Sequence, residues 1–221
     1  MPTEGSFPRP FGPYELLEEL GRGSTGIVYR SRFPRPNRIQ AIKIPTDSRS
    51  ERALREAKVL AFLNEPGIIR IFDAGVMHGQ AYIGREYIDG CDFVTHLRTH
   101  HPSLASATAL VASVTRTVHL INDRGIRHGN LALENVLVPN HGHPKLIGFG
   151  YARDFGQPVV RGSDSDIQAL GKLLVSAAEL TGQVLPEFLE AITMKCEAAG
   201  SDWGYQSAGE VADDLDRFLR S

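Results

Sequence analysis

The sequence predicts an α+β chain of two lobes, a small β-rich one followed by a mainly helical one. Two observations carry this. From Tyr14 to Asp89 the chain consists of short β-type runs punctuated by Gly and Pro, interrupted by one helical stretch from about Glu51 to Leu63. Beyond that point apolar residues recur at helical spacing. Leu110, Val114, Val118 and Ile121 form one stripe, and Ile167, Leu170, Leu174 and Ala177 a second. A third, Ala208, Val211, Leu215 and Phe218, follows Ser207 and Glu210 at capping-box spacing. Two short strands, Asn135–Val138 and Lys145–Ile147, lie between the first two stripes, joined by a Pro-Asn-His-Gly-His-Pro turn. The expected organisation is a flexible Pro-rich segment over residues 1–13 and one domain over 14–221. Its lobes divide into about 14–88 and 89–221, with the join near Tyr87 to Gly90.

A chain of 221 residues with 42% hydrophobic content carries enough apolar material for a sizeable core. Its net charge of −2 gives no global case for binding nucleic acid or an acidic membrane, so neither is expected as a partner. Arg30, Arg32, Arg35 and Arg38 do crowd one stretch, which reads as a solvated loop or else as a patch for an acidic partner. Cys91 and Cys196 are the only cysteines, which argues against a disulfide framework and suits a reducing compartment. No run reads as a membrane span of about 18 apolar residues, and the first residues lack the apolar centre of a signal peptide. The expectation is a soluble cytoplasmic protein.

The first chemical motif is Gly21-Arg22-Gly23-Ser24-Thr25-Gly26. Such a pattern opens a dinucleotide-binding helix in some folds, but Ile27-Val28-Tyr29 and then Pro34 and Pro36 extend or break the chain rather than coil it. A glycine-rich β-hairpin fits better, either an ordinary tight hairpin or one whose bare backbone lies over a nucleotide's phosphates. Ala41-Ile42-Lys43 follows on the next strand, and Glu56 falls on the next helix among Val59, Leu60 and Leu63. From about Tyr14 to Leu219 the chain now resembles bacterial serine/threonine protein kinases. The resemblance implies a bilobal protein kinase fold in which Gly21, Gly23 and Gly26 cover the phosphates, Lys43 holds the α- and β-phosphates and Glu56 pairs with Lys43.

The same resemblance assigns further positions. Arg85-Glu86-Tyr87-Ile88 corresponds to the hinge, where backbone groups from Glu86 to Ile88 meet adenine, and Val28, Ala41 and Leu137 correspond to the side chains that sandwich the ring. Leu60, Ile71, His128 and Phe149 correspond to a stacked column tied down by Asp166. Nucleotide, ATP above all, is therefore an expected ligand.

The catalytic motifs depart from the family. Where kinases read H-R-D-L-x-x-x-N, this chain reads His128-Gly129-Asn130-Leu131-Ala132-Leu133-Glu134-Asn135. Asn130 stands in place of the catalytic Asp, and a neutral amide has no basicity near pH 7; loss of a general base costs on the order of 10² to 10⁴ in rate. Ala132 replaces the lysine that steadies the γ-phosphate, and Gly129 replaces the arginine that reads a phosphorylated activation loop. Arg127 is out of register to substitute for it.

Two near-identical triplets compete for the magnesium-binding D-F-G position. Gly148-Phe149-Gly150 directly follows the strand Lys145–Ile147 and is the true equivalent, so Asp154-Phe155-Gly156, six residues later, is an echo. Gly148 offers no ligand. Asn135 is then the one remaining metal candidate, and magnesium is expected to be weakly bound or not required. Only Tyr151 to Ser165 separate Gly150 from Asp166, far fewer residues than the family uses, and no A-P-E triplet occurs. The arginine that pairs with that motif's glutamate is also missing, at Gly204.

Arg85 falls at the gatekeeper position, where it either competes with Lys43 for Glu56 or lays its stem along the pocket wall. His141 and His143 read as solvent-facing turn residues, His100-His101 as a loop beginning a helix, and Glu134 as a surface acid. The expected function is that of a pseudokinase: a nucleotide-binding or empty-pocket scaffold that acts on a protein partner, with an active kinase as one candidate. The alternative is a slow or unconventional ATP-dependent phospho- or nucleotidyl-transferase, with Asp154 or Asp164 supplying the missing carboxylate.

Overall fold

The computed structural model describes residues 7–23, 25–46, 50–152 and 165–221. Asp154 and Asp164, and with them most of the segment between Gly150 and Asp166, lie outside the described residues. The chain divides into two compact units, residues 1–65 with 69–88, and residues 66–68 with 89–221.

The first unit is built on a six-stranded sheet in the order β1-β2-β3-β4-β6-β5. Its strands are β1 (Arg9–Phe11), β2 (Tyr14–Gly23), β3 (Gly26–Pro34), β4 (Asn37–Ile44), β5 (Ile71–Met77) and β6 (Gln80–Glu86), and all pairings are antiparallel. Alternation along these strands separates two faces. One buries Phe11, Tyr14, Leu16, Tyr29, Ile42 and Ile44 as a single cluster. The other packs Ile83 against Ala53 and Ala57 of helix α1 (Ser50–Phe62), whose small side chains let it lie close to the strands. The flexible segment expected over residues 1–13 needs correction, because Arg9–Phe11 forms an edge strand on β2 and Phe11 is buried. A three-residue strand was invisible to pattern reading; its anchor is one aromatic side chain.

The arginine-rich stretch also differs from the expected loop. Arg30 and Arg32 sit in β3 and pair across the hairpin with Glu18 (3.0 Å) and Glu15 (3.2 Å), while Arg38, in β4, stacks over the Phe72 ring at 3.8 Å. Arg30, Arg32 and Arg38 thus have neighbours within the sheet, while Arg35, in the turn between β3 and β4, is exposed.

The second unit has a small sheet, β7 (Gly90–Asp92), β8 (Val136–Pro139) and β9 (Lys145–Leu146), and five α-helices among the described residues. These are α2 (Phe93–His100), α3 (Leu104–Asp123), α4 (Ser165–Leu180), α5 (Glu187–Glu197) and α6 (Ala208–Arg220). Asp92 caps α2, Ser103 caps α3, and Ser207 caps α6 by accepting from the Glu210 N–H. His100 and His101 therefore end α2, with His101 in the left-handed region, rather than beginning a helix. By length and composition α3 is apolar enough to cross a membrane, contrary to the sequence reading. Here it is a core helix that packs on α4 and α6 and buries Val111, Val114, Val118 and Ile121.

Two tyrosines join backbone architecture to pH. The Tyr14 hydroxyl donates to Asp73 in the first unit, and the Tyr205 hydroxyl donates to Asp214 Oδ2 (2.7 Å) in the second. Burial, reinforced by the neighbouring carboxylate, pushes both phenols well above their ordinary value of 10.0. Because the folded state holds these protons more tightly, the stability they lend is complete below pH 10 and is lost as pH rises above it. Urea midpoints at about pH 8 and about pH 11 are expected to fall steeply for the wild type and less steeply for Tyr14→Phe.

Candidate functional site

The register of the first sheet brings the candidate residues of that unit to one face. Val28 lies opposite Lys43, and Ala41 opposite Arg85, so Val28, Ala41, Lys43, Ile83 and Arg85 all project to the side that α1 covers. Lys43 and Arg85 are diagonal neighbours on adjacent strands. Glu56, two helical positions past Leu54 and one before Ala57, comes down onto them from α1. Lys43 Nζ donates to Glu56 Oε2 at 2.6 Å, and Lys43, Glu56 and Arg85 are 7%, 2% and 6% exposed.

The electrostatics of this cluster are uneven. Burial lowers the Lys43 ammonium below its ordinary value; Glu56 works to raise it and Arg85 to lower it further. Burial likewise lowers Arg85, opposed by the charge of Glu56. Glu56 Oε1 is buried without a hydrogen-bond partner, so the expected competition between Arg85 and Lys43 is not a contact in this structure. Lys43 holds the ion pair, and Arg85 feels Glu56 through space. Nor does the Arg85 stem lead its charge out to solvent, since the whole residue is buried.

The glycine loop is the tip of the β2–β3 hairpin, closed by the pair Gly23 and Gly26. A Cβ at Gly21 or Gly23 would meet nothing within 4 Å, which leaves that backbone open to a ligand. Gly26 is structural: a Cβ there would lie 2.3 Å from the Ile44 carbonyl oxygen. In the hinge stretch the Glu86 N–H donates to the Arg70 carbonyl at 2.9 Å, while Tyr87 and Ile88 are half-buried. Leu60 is buried on α1 and Ile71 half-buried at the start of β5.

The second unit carries the catalytic-loop equivalents, wired through Asp166. Its carboxylate accepts from the backbone N–H of His128 (2.8 Å) and of Gly129 (2.9 Å), and from the Asn122 side chain (3.3 Å). His128 Nε2 donates to the Ile147 carbonyl (2.9 Å), its Nδ1 accepts from the Asn130 N–H (3.3 Å), and its ring meets Phe149 edge-on at 4.7 Å. The loop is thus held in place although Asn130, exposed, brings no base and Ala132 no charge. Leu137 is half-buried in β8 opposite Lys145.

Sequence reasoning missed how completely the structure has closed around the missing side chains. Gly148 has φ +85°, and a Cβ built there would stand 2.6 Å from Asn135 Oδ1. Asn135 is fixed in that position by donating its amide to the Asn130 carbonyl (2.8 Å). The amide oxygen proposed as a metal ligand is therefore packed against Gly148, and among the described residues it belongs to no cluster of metal-ligating side chains. This donor set does not fit magnesium, which favours hard, usually carboxylate, oxygens. Gly129, at φ +71°, has the Tyr151 carbonyl oxygen 2.6 Å from its would-be Cβ, and Gly204 has the Ala198 carbonyl oxygen at 2.0 Å. No group of three or more metal-ligating side chains occurs among the described residues, and His141, His143 and Glu134 are exposed.

Restoring the family side chains one at a time should accordingly do harm. Gly148→Asp is expected to cost about 1–2 kcal/mol in urea unfolding, from the left-handed backbone and the displaced Asn135, without conferring magnesium-dependent phosphate transfer. Gly204→Ala is expected to cost at least about 2 kcal/mol in the same assay, because its new methyl meets backbone rather than a flexible side chain.

Comparison with known proteins agrees with this geometry. The protein kinase domain family matches residues 14–168. The chain is 34% identical over 165 residues to the serine/threonine-protein kinase PknD of Mycobacterium tuberculosis, a match covering 72% of this chain and 24% of PknD. It is 32% identical over 149 residues to PknE of the same organism, covering 64% of this chain and 26% of PknE. The chain thus spans about a quarter of the length of these relatives. In fold it is similar to the crystal structure of the Mycobacterium tuberculosis PknI kinase domain, with a TM-score of 0.75 at 22% identity over 97% of this chain and 98% of that one. The chain belongs to the protein kinase domain family, in its bacterial serine/threonine branch.

Proposed function

We propose that this chain is a pseudokinase that binds nucleotide without depending on magnesium and acts through a protein partner rather than by phosphate transfer. The observation that carries the reading is the Asn135 amide oxygen packed where a side chain at Gly148 would begin. It is supported by Asn130, which cannot accept a proton from a substrate hydroxyl near neutral pH. What favours retained nucleotide binding is the first unit: an unobstructed backbone at Gly21 and Gly23, and an intact Lys43–Glu56 pair on the same sheet face as Val28 and Ala41. Such a protein signals by the conformations it favours when liganded, and an active kinase is the partner the reading puts first.

The second reading, a slow or unconventional ATP-dependent transferase, draws on kinship, since the relatives PknD and PknE are named as kinases. It requires a carboxylate from elsewhere, with Asp154 and Asp164 as the candidates.

Thermal unfolding with ATP, in magnesium and separately in EDTA, distinguishes them. ATP at about 100 times its dissociation constant stabilises by about 2.7 kcal/mol. For a chain of this size that is a rise of roughly 5–10 °C, expected in both buffers. A rise confined to magnesium would instead favour the transferase, and no rise in either buffer would favour a scaffold with an empty pocket.

A further inference from the structure

Helix α5 turns Leu189, Ile192 and Cys196 into the second unit. Met194 lies two residues from Ile192 and two from Cys196, more than half a helical turn from each, so it points the opposite way and is 57% exposed. Past the end of α5 the chain folds back on the helix. The Ser201 N–H donates to the Ala198 carbonyl (2.9 Å), the Tyr205 N–H donates to the Lys195 carbonyl (3.3 Å), and Gly204 presses on the Ala198 carbonyl. Ala198 is one turn on from Met194. The anchored turn buries Tyr205 yet leaves Trp203, the chain's only tryptophan, 63% exposed at the same end of the helix. Tryptophan and methionine held in water on a fixed backbone are the side chains that interfaces favour as anchors.

The charges around them have one sign. Glu190 and Glu197, four residues before Met194 and three after it, are its neighbours on the helix surface, and Asp202 precedes Trp203; all three are exposed. Glu190, in the first turn of α5, suits the helix dipole. Glu197 ends the helix, where a carboxylate is disfavoured, so helix stability does not account for it. Lys195, the one cation in the sequence between Thr181 and Trp203, is engaged by Asp214 (3.6 Å) and by the Tyr205 ring.

We propose that this face docks a basic amphipathic segment of a partner protein, its apolar anchor against Met194 and Trp203 and its lysines or arginines meeting Glu190, Glu197 and Asp202. Charge complementarity selects the occupant. A second copy of this chain would bring the same carboxylates against themselves, and an anionic membrane surface would be repelled. The proposal rests on the reading that the chain acts through a protein partner, and gives that reading a place and a chemistry.

Trp203 reports on the surface directly. The full chain, without nucleotide, is titrated with a synthetic amphipathic helix of leucine and lysine while Trp203 emission is followed. A saturable blue shift is expected, with affinity falling at least about tenfold between about 50 and about 300 mM salt. Glu190→Gln/Glu197→Gln and, separately, Met194→Ser are each expected to weaken the peptide at least about fivefold. The control Glu179→Gln/Asp213→Asn, which removes two exposed acids from α4 and α6, is expected to change it less than about twofold. No shift, equal binding of a leucine and glutamate peptide, or equal weakening by the control would overturn the proposal. So would emission that moves to the blue as protein concentration alone is raised, which would assign the face to a second copy. Because the titration uses no nucleotide, its failure strikes this surface alone, whereas the pseudokinase reading is struck separately, by phosphate transfer.

Discussion

A carboxylate buried beneath a β-sheet must be answered by positive charge, and in this protein Glu56 is answered twice. Lys43 reaches it directly and Arg85 through space, both placed by the antiparallel register of β4 and β6. That register fixes which residues face α1, and α1 in turn lies close because Ala53 and Ala57 present no bulk. The chemistry of the first unit therefore hangs on strand alignment: a one-residue slip would carry Lys43 and Arg85 to the opposite face, into the cluster of Tyr29, Ile42 and Ile44.

The second unit shows the complementary case, in which groups a kinase needs are missing and the surroundings have consolidated. Asp166 still gathers the N–H groups of His128 and Gly129, and His128 still bridges to Ile147, so the loop geometry is kept. Gly129 and Gly204 each lie too close to a backbone carbonyl oxygen, and Gly148 to the Asn135 amide oxygen, to take a methyl group without a shift. Three independent contacts of this kind describe a settled structure whose packing relies on glycine at those positions.

Much of this was legible in the residues. The helical stripes led by Val114, Leu170 and Val211 are the buried faces of α3, α4 and α6. Short elements were not legible. β1 and β7 have three residues each, too few for a period, and they form only because Leu16 and Val138 offer paired backbone at the right place. The partners of Arg30 and Arg32 were equally hidden, since Glu18 and Glu15 meet them only after the hairpin closes. The packing of Asn135 on Gly148 is a tertiary fact that no spacing encodes. The oxygen expected as a weak metal ligand lies against the Gly148 backbone.

The central claim is that the architecture of a kinase is retained here without its chemistry. The most direct measurement is transfer of labelled γ-phosphate from ATP, in magnesium and in manganese, to the protein itself and to a generic acceptor protein, with Lys43→Ala alongside. The account predicts no transfer above the level of Lys43→Ala in either metal. Transfer by the wild type that disappears in Lys43→Ala would contradict it.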